Sequence, residues 1–187
     1  LDIIKTAKKR GIKVTCETGP HYFIFNKDDV NGDPNKKMNP PLRSKEDVEA
    51  IKEALRNGTI DVIATDHAPH SKEEKSKPIE KALNGIVGIE TSFAMSYTYL
   101  VKTGILTPLE LINKMSTKGA EILDIDRGTL KVGSIADIAL FDVTNEYEIK
   151  EEDFKSKSHN SPFIGMNVYG RTVQTFVAGE CKFRRWT

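Results

Sequence analysis

Helix-like and strand-like stretches alternate at the start of the chain, and this alternation constrains the fold more than any other feature of the sequence. Residues 1–11 carry apolar side chains at helical spacing and end at a glycine, and residues 44–58 repeat that pattern behind a serine cap. Residues 12–19 are β-branched and alternating, whereas residues 59–70 contain the continuous apolar run 62–64. Such a run is typical of a strand covered on both faces, so the pattern predicts an α/β fold with a parallel sheet or barrel.

Three further kinds of segment complete the predicted organisation. Residues 20–44 are rich in Pro, Asn, Asp and Gly and are predicted to form a long irregular loop, of the kind that often carries function. Residues 88–104 and 107–123 have the pattern of two helices, the second with Thr107 as its cap and a proline in its first turn. Short strands with glycine turns follow, so we expect an α/β region at 1–127 and a small β module at 128–187.

Composition excludes several classes of function. The 187 residues carry a net charge of +1, which gives no electrostatic support for a nucleic-acid partner or a membrane surface. No apolar run approaches the roughly 20 residues that a membrane-spanning helix needs. Cys16 and Cys181 form no CxxC motif and are predicted to be buried free thiols, which favours a reducing, cytoplasmic location. The charged run 71–82 is interpreted as a solvated loop and helix start.

The stretch "ATDHAPH" gathers Asp66, His67 and His70 just past a predicted strand end. In parallel barrels the reactive groups lie at that end, so the carboxylate is a candidate metal ligand or proton acceptor. A catalytic zinc needs about three protein ligands, yet the other histidines, His21 and His159, each stand alone and no H-x-H occurs. From residue types alone, a capped turn remains an equally open interpretation.

Several stretches in the same order resemble the dihydroorotase family, in the cyclic amidohydrolase group of the metal-dependent amidohydrolase superfamily. They are "VTCETGPHYF", "KMNPPLRS", "ATDHAPH", "NGIVGIET", "GTLKVGSIADIALFD" and "KSKSHNSPFIGMNVYG", and together they cover nearly the whole chain. The resemblance is to the C-terminal half of that family. It implies an α/β fold in which residues 1–127 are the C-terminal part of a (β/α)8 TIM-like barrel and residues 128–187 a small β-sandwich module.

The resemblance also implies an activity and a cofactor. Dihydroorotases interconvert N-carbamoyl-L-aspartate and L-dihydroorotate in de novo pyrimidine synthesis, and two zinc ions activate the attacking water. Asp66 matches the catalytic aspartate, which also binds one metal and moves the proton to the departing ring nitrogen. The H-x-H and most other metal ligands belong to the family's N-terminal half. We therefore expect this chain to need that half as a partner and to have little activity alone.

Four residues match the family's substrate-binding positions. Asn39 offers an amide donor and acceptor to the pyrimidine ring, and His70 lies near the substrate carboxylate. Asn84 and Gly85 contact the ring, and glycine suits this position because a missing Cβ lets the main chain approach a ligand. Many relatives carry a larger apolar residue where this chain has Asn84, which is a departure from the family pattern.

The remaining notable residues receive supporting roles from the resemblance. His21 falls one strand beyond the metal-binding histidine, so it is expected behind the metal site or in a structural role. Tyr22 stands where the family usually has a second histidine. Arg43 and His159 are interpreted as structural, and His67 as support for its loop.

Two other classes of function stay open. The chain could belong to another cyclic amidohydrolase, an allantoinase or a dihydropyrimidinase, although "KMNPPLRS" with "ATDHAPH" favours dihydroorotase. It could instead belong to a non-catalytic dihydroorotase-like subunit that scaffolds aspartate transcarbamoylase. The resemblance further implies a small-molecule substrate, a homo-oligomer and a possible contact with that transcarbamoylase.

Overall fold

The N-terminal region alternates helices with short strands, as the sequence pattern predicts. The computed structural model describes residues 1–185. In chain order its first helices and strands are α1 (Asp2–Lys9), β1 (Glu17–Thr18), α2 (Pro20–Ile24), α3 (Lys45–Arg56), β2 (Val62–Ile63) and α4 (Lys72–Lys75). The paired strands are shorter than the stretches 12–19 and 59–70, because alternation marks extended chain but pairing also requires a neighbour in register.

Parallel pairing joins the strands whose ends carry the predicted site. Glu17 of β1 pairs with Val62 of β2 in parallel register. A third extended segment lies alongside, since Ile86 forms a parallel bridge with His67 and its carbonyl accepts from the Ala68 N–H at 2.8 Å. The carboxyl ends of these segments therefore face the same edge of the fold.

Helix α3 begins and ends where its local sequence predicts. The Ser44 hydroxyl accepts from the Asp47 N–H at 3.3 Å, and the Asp47 carboxylate accepts from the Ser44 N–H at 3.1 Å. This reciprocal capping satisfies two backbone donors that the first turn would leave unpaired. Past the other end of the helix, Gly58 adopts a φ of +79°, which glycine allows without steric cost.

Two longer helical segments follow, and each contains a π-helical stretch that the periodicity of the sequence does not predict. They comprise α5 (Ser92–Ser96) with the π-helical Tyr97–Val101, and then α6 (Pro108–Ile112), the π-helical Asn113–Thr117 and α7 (Lys118–Leu123). The predicted cap of the second segment is present, because the Thr107 hydroxyl accepts from the Glu110 N–H at 3.3 Å.

The last part of the described chain forms antiparallel strands, in agreement with its predicted β character. These are β3 (Ile138–Asp142), β4 (Tyr147–Glu148), β5 (Asn167–Val168), β6 (Arg171–Val177) and β7 (Glu180–Arg184). β6 lies between β3 and β7 in one sheet, and β4 pairs with β5 in another. The boundary between residues 127 and 128 stays a prediction.

The antiparallel strands pack against the helices through shared apolar contacts. The rings of Phe93 and Phe141 stack with centroids 3.6 Å apart, and the Tyr169 N–H donates to the Thr98 hydroxyl at 2.9 Å. One buried cluster draws from both sides of this contact and contains Met38, Leu42, Ile86, Val87, Ala94, Met95, Ile149, Phe154, Phe163 and Val168. This packing holds the segment before β5 against the strand ends.

Two sequence-based expectations are wrong in part. The segment 20–44 is not irregular throughout, because it begins with helix α2, whose first residue is Pro20 and which buries Phe23. Both cysteines are free, but neither is buried: Cys16 is half-buried and Cys181 is exposed on the edge strand β7. Among the described residues no helix is long and apolar enough to cross a membrane.

Candidate functional site

Asp66 lies three residues beyond β2 and lines a cleft. Its φ is +49°, a left-handed conformation that aspartate tolerates better than most residues. The side chain is 56% exposed, and the cleft, of about 790 Å³, is also lined by Asn39 and Arg43. The sharp backbone turn thus presents a carboxylate to solvent beside two other polar side chains.

His21 lies directly behind this carboxylate. Its side chain is only 1% exposed, and its Nε2 is 3.8 Å from Oδ2 of Asp66, beyond hydrogen-bonding distance. Burial lowers the pKa of His21 to about 4, although the negative charge of Asp66 acts in the opposite direction. Gly19 makes room for the ring, because a Cβ at that position would lie 2.6 Å from its Cε1. His21 is therefore a neutral, buried neighbour of the carboxylate.

Tyr22 fixes the turn that carries Asn39. Its hydroxyl donates to the Pro40 carbonyl at 2.9 Å, and its ring centroid is 4.1 Å from that of His21. Burial, and next the charge of Asp66, raise the pKa of Tyr22 to about 12, so the hydroxyl keeps its proton and remains a donor. The Tyr22 phenol thus makes a specific contact with the turn.

His70, Asn84 and Gly85 form a second group beside the cleft. Nε2 of His70 is 2.7 Å from the Asn84 carbonyl oxygen. Gly85 has a φ of +113°, and a Cβ there would lie 2.4 Å from the Cβ of Ala68. Only glycine satisfies both the backbone conformation and this close approach.

The two groups are connected by the main chain. The Gly85 N–H donates to the carbonyl of Lys37 at 2.9 Å, and Lys37 lies two residues before Asn39. The structure thus brings Asp66 and Asn39 to one cleft and holds His70, Asn84 and Gly85 together beside it. These last three are not among the residues that line the cleft.

Two residues of this region have no role in the sequence analysis. Lys75 is buried rather than solvated, and its Nζ donates to the carbonyls of Leu83 and Gly85, both at 3.0 Å. Burial lowers the pKa of Lys75. Asn160 is 7% exposed and bonds both Ala68 and Gly85. Its stretch "HNSPF" carries part of the family resemblance, which is the one sequence signal that could have drawn attention to it.

The other histidines have local partners. Nδ1 of His67 accepts from the Gly88 N–H at 3.1 Å, which confirms its predicted support of the loop. Nδ1 of His159 lies 3.1 Å from Oε1 of Glu151 in an exposed part of the β module. Neither ring reaches the cleft, so neither joins Asp66 in a common site.

The metal-binding capacity of residues 1–185 is limited to isolated side chains. No group of three or more His, Cys, Asp or Glu residues within that range could hold an ion together. Asp66 fits one position in a metal site, because its exposed carboxylate is out of hydrogen-bonding reach of His21 and keeps lone pairs for a cation. The described residues supply one candidate ligand and no complete site.

Comparison of the sequence identifies a family and two similar relatives. Residues 1–182 match the amidohydrolase family. The chain is 53% identical to a dihydroorotase from Geobacter metallireducens over 99% of its own length and 44% of that protein's. It is 50% identical to a dihydroorotase from Staphylococcus aureus strain Mu50, over 97% of its own length and 43% of that protein's. The chain spans less than half the length of these curated relatives.

Solved structures with a similar fold come from related amidohydrolases. One is the L-hydantoinase (dihydropyrimidinase) from Arthrobacter aurescens, with a TM-score of 0.92 and 36% identity over 98% of this chain and 42% of that one. Another is the dihydropyrimidinase from Brevibacillus agri NCHU1002, with a TM-score of 0.90 and 29% identity over 97% and 41% of the two chains. The fold is common to these proteins, whereas sequence identity is higher to the dihydroorotases.

Proposed function

This chain belongs to the amidohydrolase family, and from that premise we propose that it supplies one wall of the active site of a dihydroorotase. The observation that carries the proposal is the exposed carboxylate of Asp66 at a parallel strand end, in a cleft shared with Asn39. The 53% identity to a dihydroorotase, against 36% to a hydantoinase, favours dihydroorotate over hydantoin-like substrates.

The directions of the paired strands support the proposed architecture. The parallel segments β1, β2 and Ile86 are consecutive strands in the C-terminal part of a (β/α)8 barrel. The antiparallel strands β3 to β7 contribute to a β-sandwich module. The catalytic groups of a barrel lie at the carboxyl ends of its strands, which is where Asp66 stands.

Asp66 performs the proton transfer in the proposed reaction. In hydrolysis it accepts a proton from the attacking water and donates it to the ring nitrogen as the cyclic amide opens to N-carbamoyl-L-aspartate. In the reverse direction it removes the proton from that nitrogen as the N–C bond forms, and it delivers the proton to the oxygen that leaves the carboxyl carbon as the ring closes.

A metal is part of the proposal, and the chain offers Asp66 as one ligand. When bound, zinc lowers the pKa of water and polarises the amide carbonyl. We propose a site for two zinc ions whose other ligands lie on the N-terminal half of the enzyme. Such a site is compatible with the single candidate ligand among the described residues.

The substrate is held by the groups beside Asp66. Asn39 hydrogen-bonds the pyrimidine ring, with its turn pinned by Tyr22. His70 recognises the substrate carboxylate, and Asn84 and Gly85 contact the ring through their backbone. The pathway, the cytoplasmic location, the homo-oligomer and a contact with aspartate transcarbamoylase stay predictions.

Activity is best tested in a chimera in which this chain replaces the aligned segment of the Geobacter metallireducens relative. We expect zinc-dependent turnover of dihydroorotate, abolished by a chelator and restored by added zinc. The 187-residue chain alone is expected to have little activity, because a catalytic zinc needs about three protein ligands. Turnover of allantoin or dihydrouracil with no turnover of dihydroorotate would contradict the proposal that dihydroorotate is the substrate. If the chimera turned over none of the three compounds but bound aspartate transcarbamoylase, the non-catalytic scaffolding role would be favoured.

Tyr22→Phe in the same chimera tests the turn that carries Asn39. Removing the hydroxyl deletes the bond to the Pro40 carbonyl, and a net contribution of about 0.5–1.5 kcal/mol corresponds to a roughly 2- to 12-fold rise in KM for dihydroorotate. We expect kcat to change less, because Asp66 is untouched. Tyr169→Phe is the matched control, since Tyr169 stacks with Lys102 away from the cleft. Equal KM values for both variants would exclude a role for the Tyr22 hydroxyl.

A further inference from the structure

Asn160 joins two loops that come from separate strand ends. Its Oδ1 accepts from the His70 N–H at 3.0 Å, and its Nδ2 donates to the carbonyls of Ala68 and Gly85, both at 3.2 Å. Its own carbonyl accepts from the Val87 N–H at 3.0 Å. A single amide side chain therefore uses its acceptor and both of its donors on the two loops.

The side chain of Asn160 is buried and its contacts are partly buried, which raises the cost of losing them. Asn160 is 7% exposed. A shielded carbonyl that loses its hydrogen-bond donor is left desolvated without a compensating bond, which costs free energy. The Gly85 carbonyl would keep the Nζ of Lys75 at 3.0 Å. Among residues 1–185, Asn160 is the side chain that bonds the Ala68 carbonyl and the His70 N–H. The loop with His70 would keep the contact of its Nε2 with the Asn84 carbonyl and the bond from the Ala68 N–H to Ile86, but it would lose the three bonds through which Asn160 fixes it relative to Gly85.

We propose that Asn160 is a positioning residue for substrate binding: it fixes the distance between His70 and Gly85, the two sides of the substrate-binding wall. This inference rests on the proposed dihydroorotase function. Asn160 comes from the segment before β5, so the β module sets the geometry of a site whose other residues lie in the α/β region.

The contacts of Asn160 predict which kinetic constant changes. They lie on His70 and Gly85, whereas none reaches Asp66, the proposed proton carrier. A displacement of His70 relative to Gly85 weakens binding of the substrate and leaves Asp66, the acid–base group, unchanged. A purely structural role would instead lower the active fraction, and therefore the apparent kcat, at unchanged KM.

Two substitutions in the chimera test this inference. Asn160→Ala removes all three side-chain bonds, and Asn160→Asp keeps the acceptor for the His70 N–H but loses the donors to Ala68 and Gly85. We expect KM for dihydroorotate to rise roughly 10-fold or more in both variants, with kcat within about 3-fold, because small displacements of binding groups have large effects. Asn145→Ala is the control, since its side chain bonds only locally in an exposed turn.

Amide hydrogen exchange on the chimera provides a readout that needs no activity. Asn160→Ala is expected to speed exchange at residues 68–70 and 85–87 together, with little change in α3. An inactive unsubstituted chimera would refute the proposed function while this coupling could still be measured. Unchanged exchange, unchanged KM in an active chimera, or loss of folded protein in both variants would overturn the positioning role.

Discussion

Asp66→Asn is expected to lower kcat for dihydroorotate in the chimera by about 10³-fold, within the range by which general acid–base groups accelerate reactions. The asparagine amide has nearly the same shape but neither accepts nor returns the proton that ring opening transfers. Steady-state kinetics at saturating zinc, with bound zinc measured for each variant, separates this chemical loss from weaker metal binding.

The backbone at Asp66 makes this substitution a clean test. Its φ of +49° is left-handed, and asparagine tolerates that region as well as aspartate does. Folding should therefore be preserved. Asp124→Asn is the matched control, because Asp124 has a φ of +52° at the end of α7 and does not line the cleft.

We expect Asp124→Asn to keep both kcat and stability within experimental error of the unsubstituted chimera. If Asp66→Asn retained more than about a tenth of the activity, Asp66 would not be the proton carrier, given the usual contribution of such groups.

Gly85→Ala is expected to destabilise the chain by about 2–5 kcal/mol, from backbone strain together with overpacking. The φ of +113° is a conformation that L-residues rarely adopt, and the new Cβ would meet the Cβ of Ala68 at 2.4 Å. Relief requires either the loop of Ala68 or the Gly85 backbone to move. Because that movement separates Gly85 from His70, KM for dihydroorotate should also rise by roughly 10-fold or more.

Gly133→Ala separates the two causes of this effect. Gly133 also has a positive φ, +90°, but a Cβ there would meet nothing within 4 Å. It should therefore show only the backbone cost, about 1–3 kcal/mol, and leave KM unchanged. Denaturant unfolding of the chain and kinetics of the chimera measure the two quantities. Equal destabilisation by both substitutions would show that the contact with Ala68 has no energetic weight.

Local signals in the sequence were sufficient where a few neighbouring residues decide the structure. Ser44 with Asp47, and Thr107 with Glu110, cap their helices as predicted, because each hydrogen bond spans only three residues. The position of Asp66 at a strand end followed from the apolar run before it. The π-helical stretches were missed, since an inserted residue in a helix leaves no clear mark on the apolar pattern.

Contacts between distant segments decided the rest of the candidate site. Tyr22 reaches Pro40 across 18 residues, and Asn160 reaches Gly85 and Ala68 across 75 and 92 residues. The charged run predicts a solvated Lys75, whereas the fold buries its side chain against the carbonyls of Leu83 and Gly85.

The sequence by itself determined the α/β alternation, the helix caps, the family and the residue type that faces the cleft. Only the tertiary structure decided which distant side chains complete the wall around that residue. The physical reason is that helix capping and apolar periodicity act over a few residues, whereas the partner of a buried donor or acceptor is set by whatever the whole fold brings within about 3 Å.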